Sequence, residues 1–193
     1  MPPKAKFEKN EIIEAALKIV KEQGISALTA RSLGKELGSS PRPIFTVFRS
    51  MDEVQTELIA KANSVYADYV KKGLNSVLAF KGVGTQYILF AINEPKLFQL
   101  LFMSEQKTVL SLSNVLPAIE EHYEDILGSI RSGYSIDGGN AERLYRHLWI
   151  YVHGIATLCA TKTCRFSADE ISVMMTDVFT SLITKIKKEE QND

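Results

Sequence analysis

Along the first fifty residues, apolar positions recur at helical spacing and are cut off by glycine at short intervals. From Lys9 to Gln23, Ile12, Ile13, Ala16, Leu17, Ile19 and Val20 fall on one face, and Glu11, Glu14, Lys18, Lys21 and Glu22 on the other. Gly24 offers the left-handed position that ends such a helix. Thr29 caps a second helix, TARSLGKEL, in which Leu33 and Leu37 face inward and Gly38 closes the end. In GSSPRPIFTVFRSMDEV, two prolines then head an aromatic run. Proline is tolerated in a first turn, where its missing N–H has no partner to lose. The pattern therefore predicts Ser40 as N-cap and a short helix from Pro41 to about Phe48. Ser50 caps a fourth helix over 52–72, with Asp52 and Glu53 in its first turn opposite the positive end of the dipole. Two short helices joined by a glycine-containing turn and buttressed by a longer one are the parts of a helix-turn-helix.

The rest of the chain has no convincing strand pattern, internal repeat or low-complexity linker. Helices are predicted over Val83–Asn93 and Pro95–Met103, with Pro95 as N1. A longer helix or pair is predicted from about Glu105 to Ser132, kinked or broken at Pro117. SIDGGN reads as a loop, followed by two long helices, Ala141–Thr161 and Ala168–Lys188. The last carries the stripe Ile171, Met174, Met175, Val178, Leu182, Ile183 and Ile186. Its partner is apolar nearly all round through Leu148, Ile150, Val152, Ile155, Ala156 and Leu158, with Gly154 permitting close approach. Helices apolar on more than one face need more than one neighbour. Pairing the two with symmetry mates as a four-helix bundle would bury both faces in a twofold homodimer, with Leu148, Val152, Ile155, Met174, Met175, Val178 and Leu182 at the interface.

Charge changes this picture at one end. The 193 residues have a formal net charge of zero, yet residues 1–50 carry nine Lys or Arg against five Asp or Glu, and the remainder fourteen against eighteen. A basic head on an acidic body permits a polyanion partner. The apolar runs are too short or too interrupted for a membrane span, and MPPKAKFEKN lacks a signal-peptide core, so a cytoplasmic location without membrane contact is expected. Cys159 and Cys164 form H-x5-C-x4-C with His153, which matches no common zinc pattern. A continuous helix would turn the two thiols to different faces, so they read as reduced thiols and no metal or cofactor is expected. No glycine-rich phosphate loop, H-E-x-x-H or G-x-S-x-G occurs, and His122, His147 and His153 form no catalytic arrangement, so an enzyme is not expected.

The stretch KNEIIEAALKIVKEQGISALTARSLGKELGSSPRPIFTVFRSMDEVQTELI resembles, over residues 7–59, the DNA-binding domain of tetracycline-repressor (TetR) family regulators. The resemblance lies in the alanine-containing first helix, the G-x-x-x-x-T break, the L-G turn, the aromatic-x-x-Phe pair and the Ser-x-Asp/Glu-Glu start of the fourth helix. In the body, FAINEPKLFQLLF and LWIYVHGIATLCA resemble the regulatory domain of a subgroup with a W-x-x-x-H-G run, here Trp149, His153 and Gly154. The resemblance implies an all-α protein: a helix-turn-helix DNA-binding domain (1–50), a connecting helix (51–73) and a larger helical-bundle domain for ligand binding and dimerisation (74–193). It implies a homodimeric regulator, usually a repressor, released from an inverted-repeat double-stranded DNA operator by a small apolar or amphipathic inducer.

Carried over by position, Thr29 and Ser40 would touch phosphate, and Arg42 and Thr46 base edges. Ser39, Pro43, Phe45 and Arg49 would complete the DNA-facing set. Phe45 stands where the family usually has Tyr, Met51 where it commonly has Lys, and Pro43 where a small polar residue is usual. These departures remove hydrogen-bonding groups, which shifts the electrostatic load to Lys4, Lys6, Arg42 and Arg49. They also raise an alternative, a ligand- or partner-binding helical dimer whose head has weakened or lost specific DNA binding. The inducer site is expected as an apolar hollow between the connecting helix and the middle helices. Its expected lining is Tyr66, Tyr87, Phe90, Phe98, Phe102, Tyr123 and Trp149.

Overall fold

The computed structural model of the protein describes residues 6–105 and 108–191. Among them the regular structure is helical throughout: α1 (Lys9–Gln23), α2 (Ala30–Glu36), α3 (Met51–Leu74), α4 (Ala79–Asn93), α5 (Pro95–Phe102), α6 (Val115–Ile119), α7 (Tyr123–Tyr134), α8 (Gly138–Ala160) and α9 (Ala168–Glu190), with single 3-10 turns at Ile25–Ala27 and Arg42–Thr46. The chain forms two compact units. The first holds the described residues up to Tyr66 together with Glu94–Glu105, and the second holds Ala67–Asn93 with the described residues from Thr108 onward.

In the first unit, α1 buries Ile12, Ile13, Ala16, Leu17, Ile19 and Val20, the face its periodicity marks. Leu33, Ile44, Phe48, Val54 and Leu58 complete this core at 2% exposure or less. α5 packs on α1, and Lys21 Nζ lies 2.8 Å from Glu94 Oε1. The last predicted α1 feature differs in detail: Gly24 has φ 87° but an extended ψ of 170°, so the chain leaves through a 3-10 turn and not through a left-handed cap.

In the second unit, α8 packs against α4, α7 and α9. Its buried positions, Leu144, Tyr145, Leu148, Val152, Ile155 and Ala156, recur at helical spacing. Gly73 lies against the α4 backbone so closely that a Cβ there would come within 2.6 Å of Val83 Cα.

Three expectations are corrected. The expected helix or pair from about Glu105 to Ser132 is a pair, α6 and α7, but it starts only at Val115, and the segment 108–114 is not helical. Pro117 lies in the first turn of α6, where its missing N–H costs nothing, so the break falls after α6 and not at the proline. α8 begins inside the predicted SIDGGN loop. Asp137 caps it, its carboxylate accepting from Asn140 N at 2.9 Å, and this outweighs the two glycines of the first turn. The predicted helix from Pro41 to Phe48 is a five-residue 3-10 turn, Arg42–Thr46. Pro41, not Ser40, is its flanking residue, and no side-chain cap is made. The segment closes mainly through bonds three residues back, Val47 N donating to Ile44 O at 3.1 Å, and only Phe48 N reaches four residues back, to Ile44 O at 3.0 Å. Ile44 N donates to Pro41 O at 3.1 Å, three residues back.

Candidate nucleic-acid interface and ligand core

The 3-10 turn Arg42–Thr46 is held from behind and from beside. Ile44 and Phe48, 0% and 2% exposed, anchor it in the head core. Beside it, buried Gly34 of α2 abuts the backbone of the turn. A Cβ at Gly34 would lie 2.9 Å from Pro41 N and 3.0 Å from Ser40 C, closer than real side chains come. The sequence reading missed this role, for which a glycine inside a good helix is the one available signal.

With Ile44 and Phe48 turned inward, Arg42, Phe45 and Thr46 are exposed, and Pro43 is half-buried. Phe45 keeps 45% of its surface open. Thr46 Oγ1 donates to Pro43 O at 2.7 Å, which commits its proton inside the turn and leaves its lone pairs outward. At the head of α2, Thr29 Oγ1 accepts from Ser32 N at 3.1 Å, while Ser32 Oγ donates to Ala27 O at 2.7 Å. Lys6 Nζ donates to Ser39 Oγ at 3.1 Å, tying the N-terminal arm to the turn, and Ser40 is exposed. Arg49 N donates to Glu53 Oε2 at 2.6 Å, and the Arg49 side chain is exposed. Lys4 lies outside the described residues.

Ion pairing sorts the cations of the head. Lys9 meets Glu57 at 2.7 Å, Lys18 meets Glu36 at 2.6 Å and Lys61 meets Glu14 at 2.7 Å. Among the described residues, Arg31, Lys35, Arg42 and Arg49 form no ion pair. The uncompensated charge therefore sits on α2 and around the 3-10 turn Arg42–Thr46. Arg31 and Lys35 were missed in the sequence, where a charge count cannot tell a paired lysine from an unpaired one.

The seven aromatic ligand candidates divide between the units. In the first, Tyr66 meets Phe102 edge-on at 5.0 Å, and Phe102 meets Phe98 at 5.3 Å. In the second, Phe90 meets Tyr69, Tyr123 stacks on Tyr145 at 5.9 Å, and Tyr87 and Trp149 converge on His153. Trp149 and His153, one turn apart on α8, stack with centroids 5.1 Å apart. Tyr87 Oη lies 2.9 Å from His153 Nδ1. Burial pushes the Tyr87 hydroxyl well above the ordinary tyrosine range, opposed by the Trp149 indole and reinforced by the Glu120 carboxylate. Burial holds His153 below the ordinary imidazole value. Both groups are thereby held neutral, and one proton is shared across the contact, given by the hydroxyl or by the ring according to the imidazole tautomer.

Glu120, at the end of α6, is 7% exposed and accepts from His122 N at 3.1 Å. After burial, its charge is the next cause holding Tyr145 well above the usual range. On the same two helices as Tyr87 and His153, Gln86 Oε1 and Thr157 Oγ1 are buried without a hydrogen-bond partner. Sequence reasoning missed Glu120, Gln86 and Thr157, since nothing local marks a polar residue as buried. No group of three metal-ligating side chains occurs among the described residues.

Of the expected dimer-interface residues, Leu148, Val152, Ile155 and Met175 lie in the protomer's own core, while Met174, Val178 and Leu182 are half-buried. On the outer side of α8, Ile150 and Leu158 are 50% and 38% exposed, with Gly154 open between them.

Two family models match the chain. Residues 12–62 match that of bacterial regulatory proteins of the tetR family, and residues 80–182 match a tetracyclin repressor-like C-terminal domain. No curated protein matches the chain. The protein belongs to the TetR family of regulators. It is a DNA-binding transcriptional regulator with a ligand-binding C-terminal domain, and a head that has lost DNA binding is not favoured. No helix among the described residues is long and apolar enough to cross a membrane.

Proposed function

We propose that the protein is a homodimeric repressor that reads an inverted-repeat operator with the 3-10 turn Arg42–Thr46. The observation that carries this reading is the turn itself, with Ile44 and Phe48 buried behind it and Arg42, Phe45 and Thr46 exposed in front. Arg42 suits the paired acceptors of guanine in the major groove. Thr46, its proton spent on Pro43 O, is left to accept from an exocyclic amine or to pack its methyl on thymine. Thr29, Ser39 and Ser40 serve as backbone contacts. Lys6, Arg31, Lys35 and Arg49 supply sequence-independent attraction, and Lys4 extends the arm. Phe45 replaces a polar phosphate contact with apolar contact.

The inducer is a small amphipathic molecule bound in the second unit around Tyr87, Phe90, Tyr123 and Trp149. Gln86 Oε1 and Thr157 Oγ1 are unspent partners for its polar end, because a buried polar atom left unpaired costs about 1–3 kcal/mol. Tyr66, Phe98 and Phe102, proposed with them as lining of one apolar hollow, pack on one another in the first unit and are secondary candidates. The homodimer forms through the outer stripe of α8, Ile150, Gly154 and Leu158, with the half-buried Met174, Val178 and Leu182 of α9 contributing. Ligand and DNA then favour different arrangements of the dimer, which makes release a population shift.

Selection from randomised duplexes tests this reading. An enriched inverted repeat is expected, with half-sites one helical turn apart or a multiple of it. Absence of any enriched sequence at low salt would overturn the proposed mode of reading.

A further inference from the structure

The two cysteines lie five positions apart, which on a continuous helix would set them on different faces. The chain does not continue as a helix. α8 ends at Ala160, and Lys162 takes a left-handed conformation with φ 58°. That residue reverses the backbone, and Thr163 N and Cys164 N both donate to Leu158 O, at 3.0 and 3.2 Å. Thr161 Oγ1 donates to Thr157 O at 2.7 Å and lies 2.9 Å from Thr163 Oγ1, which fixes the reversal. Cys164 is thereby carried back beside the last turn that bears Cys159.

Leu158 O is joined to Cys159 through one peptide group, so the 3.2 Å bond from Cys164 N caps the Cα–Cα separation of the two cysteines at about 7.5 Å. Disulfides span roughly 4.4–6.8 Å, within a shift of about 1 Å even from that ceiling. Residues 161–165 are all exposed, so nothing packed on them resists such a shift. Both sulfurs are free thiols, Cys159 half-buried and Cys164 exposed. After burial, the second cause raising the Cys159 thiol is the charge of Cys164, as expected for neighbouring sulfurs. Lys162 and Arg165 flank Cys164 with no carboxylate between them, which favours approach of an anionic oxidant.

We infer that Cys159 and Cys164 form an oxidation site, a dithiol at the α8 C-terminus that closes to an intramolecular disulfide on reaction with a low-molecular-weight disulfide. The exposed Cys164 thiolate attacks one sulfur of the oxidant. The oxidant's S–S bond breaks, one thiolate leaves and a mixed disulfide forms on Cys164. Cys159 thiolate then attacks Cys164 Sγ and expels the second half of the oxidant. The protein loses two electrons and two protons, and the oxidant is reduced to two thiols that carry those protons. The site is independent of the DNA and inducer readings, since neither uses a cysteine.

Oxidised glutathione on the intact protein tests this. Both thiols should vanish together towards an alkylating agent, and the protein should become lighter by two hydrogens with no adduct retained. Trypsin cuts after Lys162, between the cysteines, so the oxidised protein should yield peptide 163–165 joined to the peptide ending at Lys162. Cys159→Ser should stop at a glutathione adduct on Cys164. Cys164→Ser should react at least about tenfold more slowly, because its remaining thiol is half-buried. A stable adduct on wild-type Cys164 with Cys159 still alkylatable, or a covalent dimer on a non-reducing gel, would overturn the inference.

Discussion

The recognition turn and the Tyr87–His153 contact are both small polar constructions, but they are built in opposite ways. The turn is local. Its hydrogen bonds run between residues three or four apart, its polar groups face outward, and the residues that hold it, Ile44 and Phe48, lie inside the same segment. The Tyr87–His153 contact joins residues 66 apart in sequence and is part-buried, with buried unpartnered atoms at Gln86 and Thr157 on the same helices. A surface that must meet a partner of fixed shape can be specified locally. On the proposed reading, the core that admits a small molecule is assembled from distant elements, and its unpaired polar atoms are the partners offered to the ligand.

The sharpest way to break the comparison is Gly34→Ala. On propensity alone, alanine should stabilise α2 by about 1 kcal/mol. Because the new methyl meets the backbone of Ser40 and Pro41, we expect instead a loss of about 1–3 kcal/mol in urea unfolding and a displaced recognition turn, with operator affinity falling at least about tenfold. Tyr87→Phe is the counterpart in the body. It should cost about 1–3 kcal/mol by removing the hydroxyl that His153 Nδ1 meets, while operator affinity measured without inducer stays near wild type. Arg42→Ala separates function from folding in the head. Thermal unfolding should stay within about 0.5 kcal/mol of wild type, while discrimination between operator and random duplex drops by about 1–3 kcal/mol.

The smallest effect is pH-dependent. Burial holds His153 below the ordinary imidazole value, so as pH falls through about 6.5 the unfolded chain takes up a proton that the folded protein refuses. Stability is therefore lost on acidification from neutral pH and regained as pH rises. Unfolding measured between pH 7.5 and 5.5 should show this slope in the wild type and lose part of it in His153→Gln.

The head was nearly transparent in the sequence. α1 appeared over Lys9–Gln23 as its periodicity marked it, and Thr29 and Ser50 cap the helices assigned to them. What periodicity could not supply was the hydrogen-bond pattern after Pro41, where the bonds close three residues back over a segment too short for its apolar spacing to tell a 3-10 turn from an α-helix. In the body, Asp137 capping Gly138 shows that a local cap can outweigh poor propensity. The burial of Glu120 and Thr157 is set by distant neighbours and leaves no periodic trace. The same holds for the reversal at Lys162, a left-handed residue that is not glycine.

The most direct test of the central claim is the salt dependence of binding to the selected operator and to random duplex, for wild type and for Arg42→Ala combined with Thr46→Ala. If the 3-10 turn reads base edges, the double variant should keep its affinity for random duplex to within the loss of one phosphate-equivalent charge, a slope change of about 1, and should lose most of its preference for the operator. An undiminished operator preference in a folded double variant would contradict the claim and place sequence recognition elsewhere in the molecule.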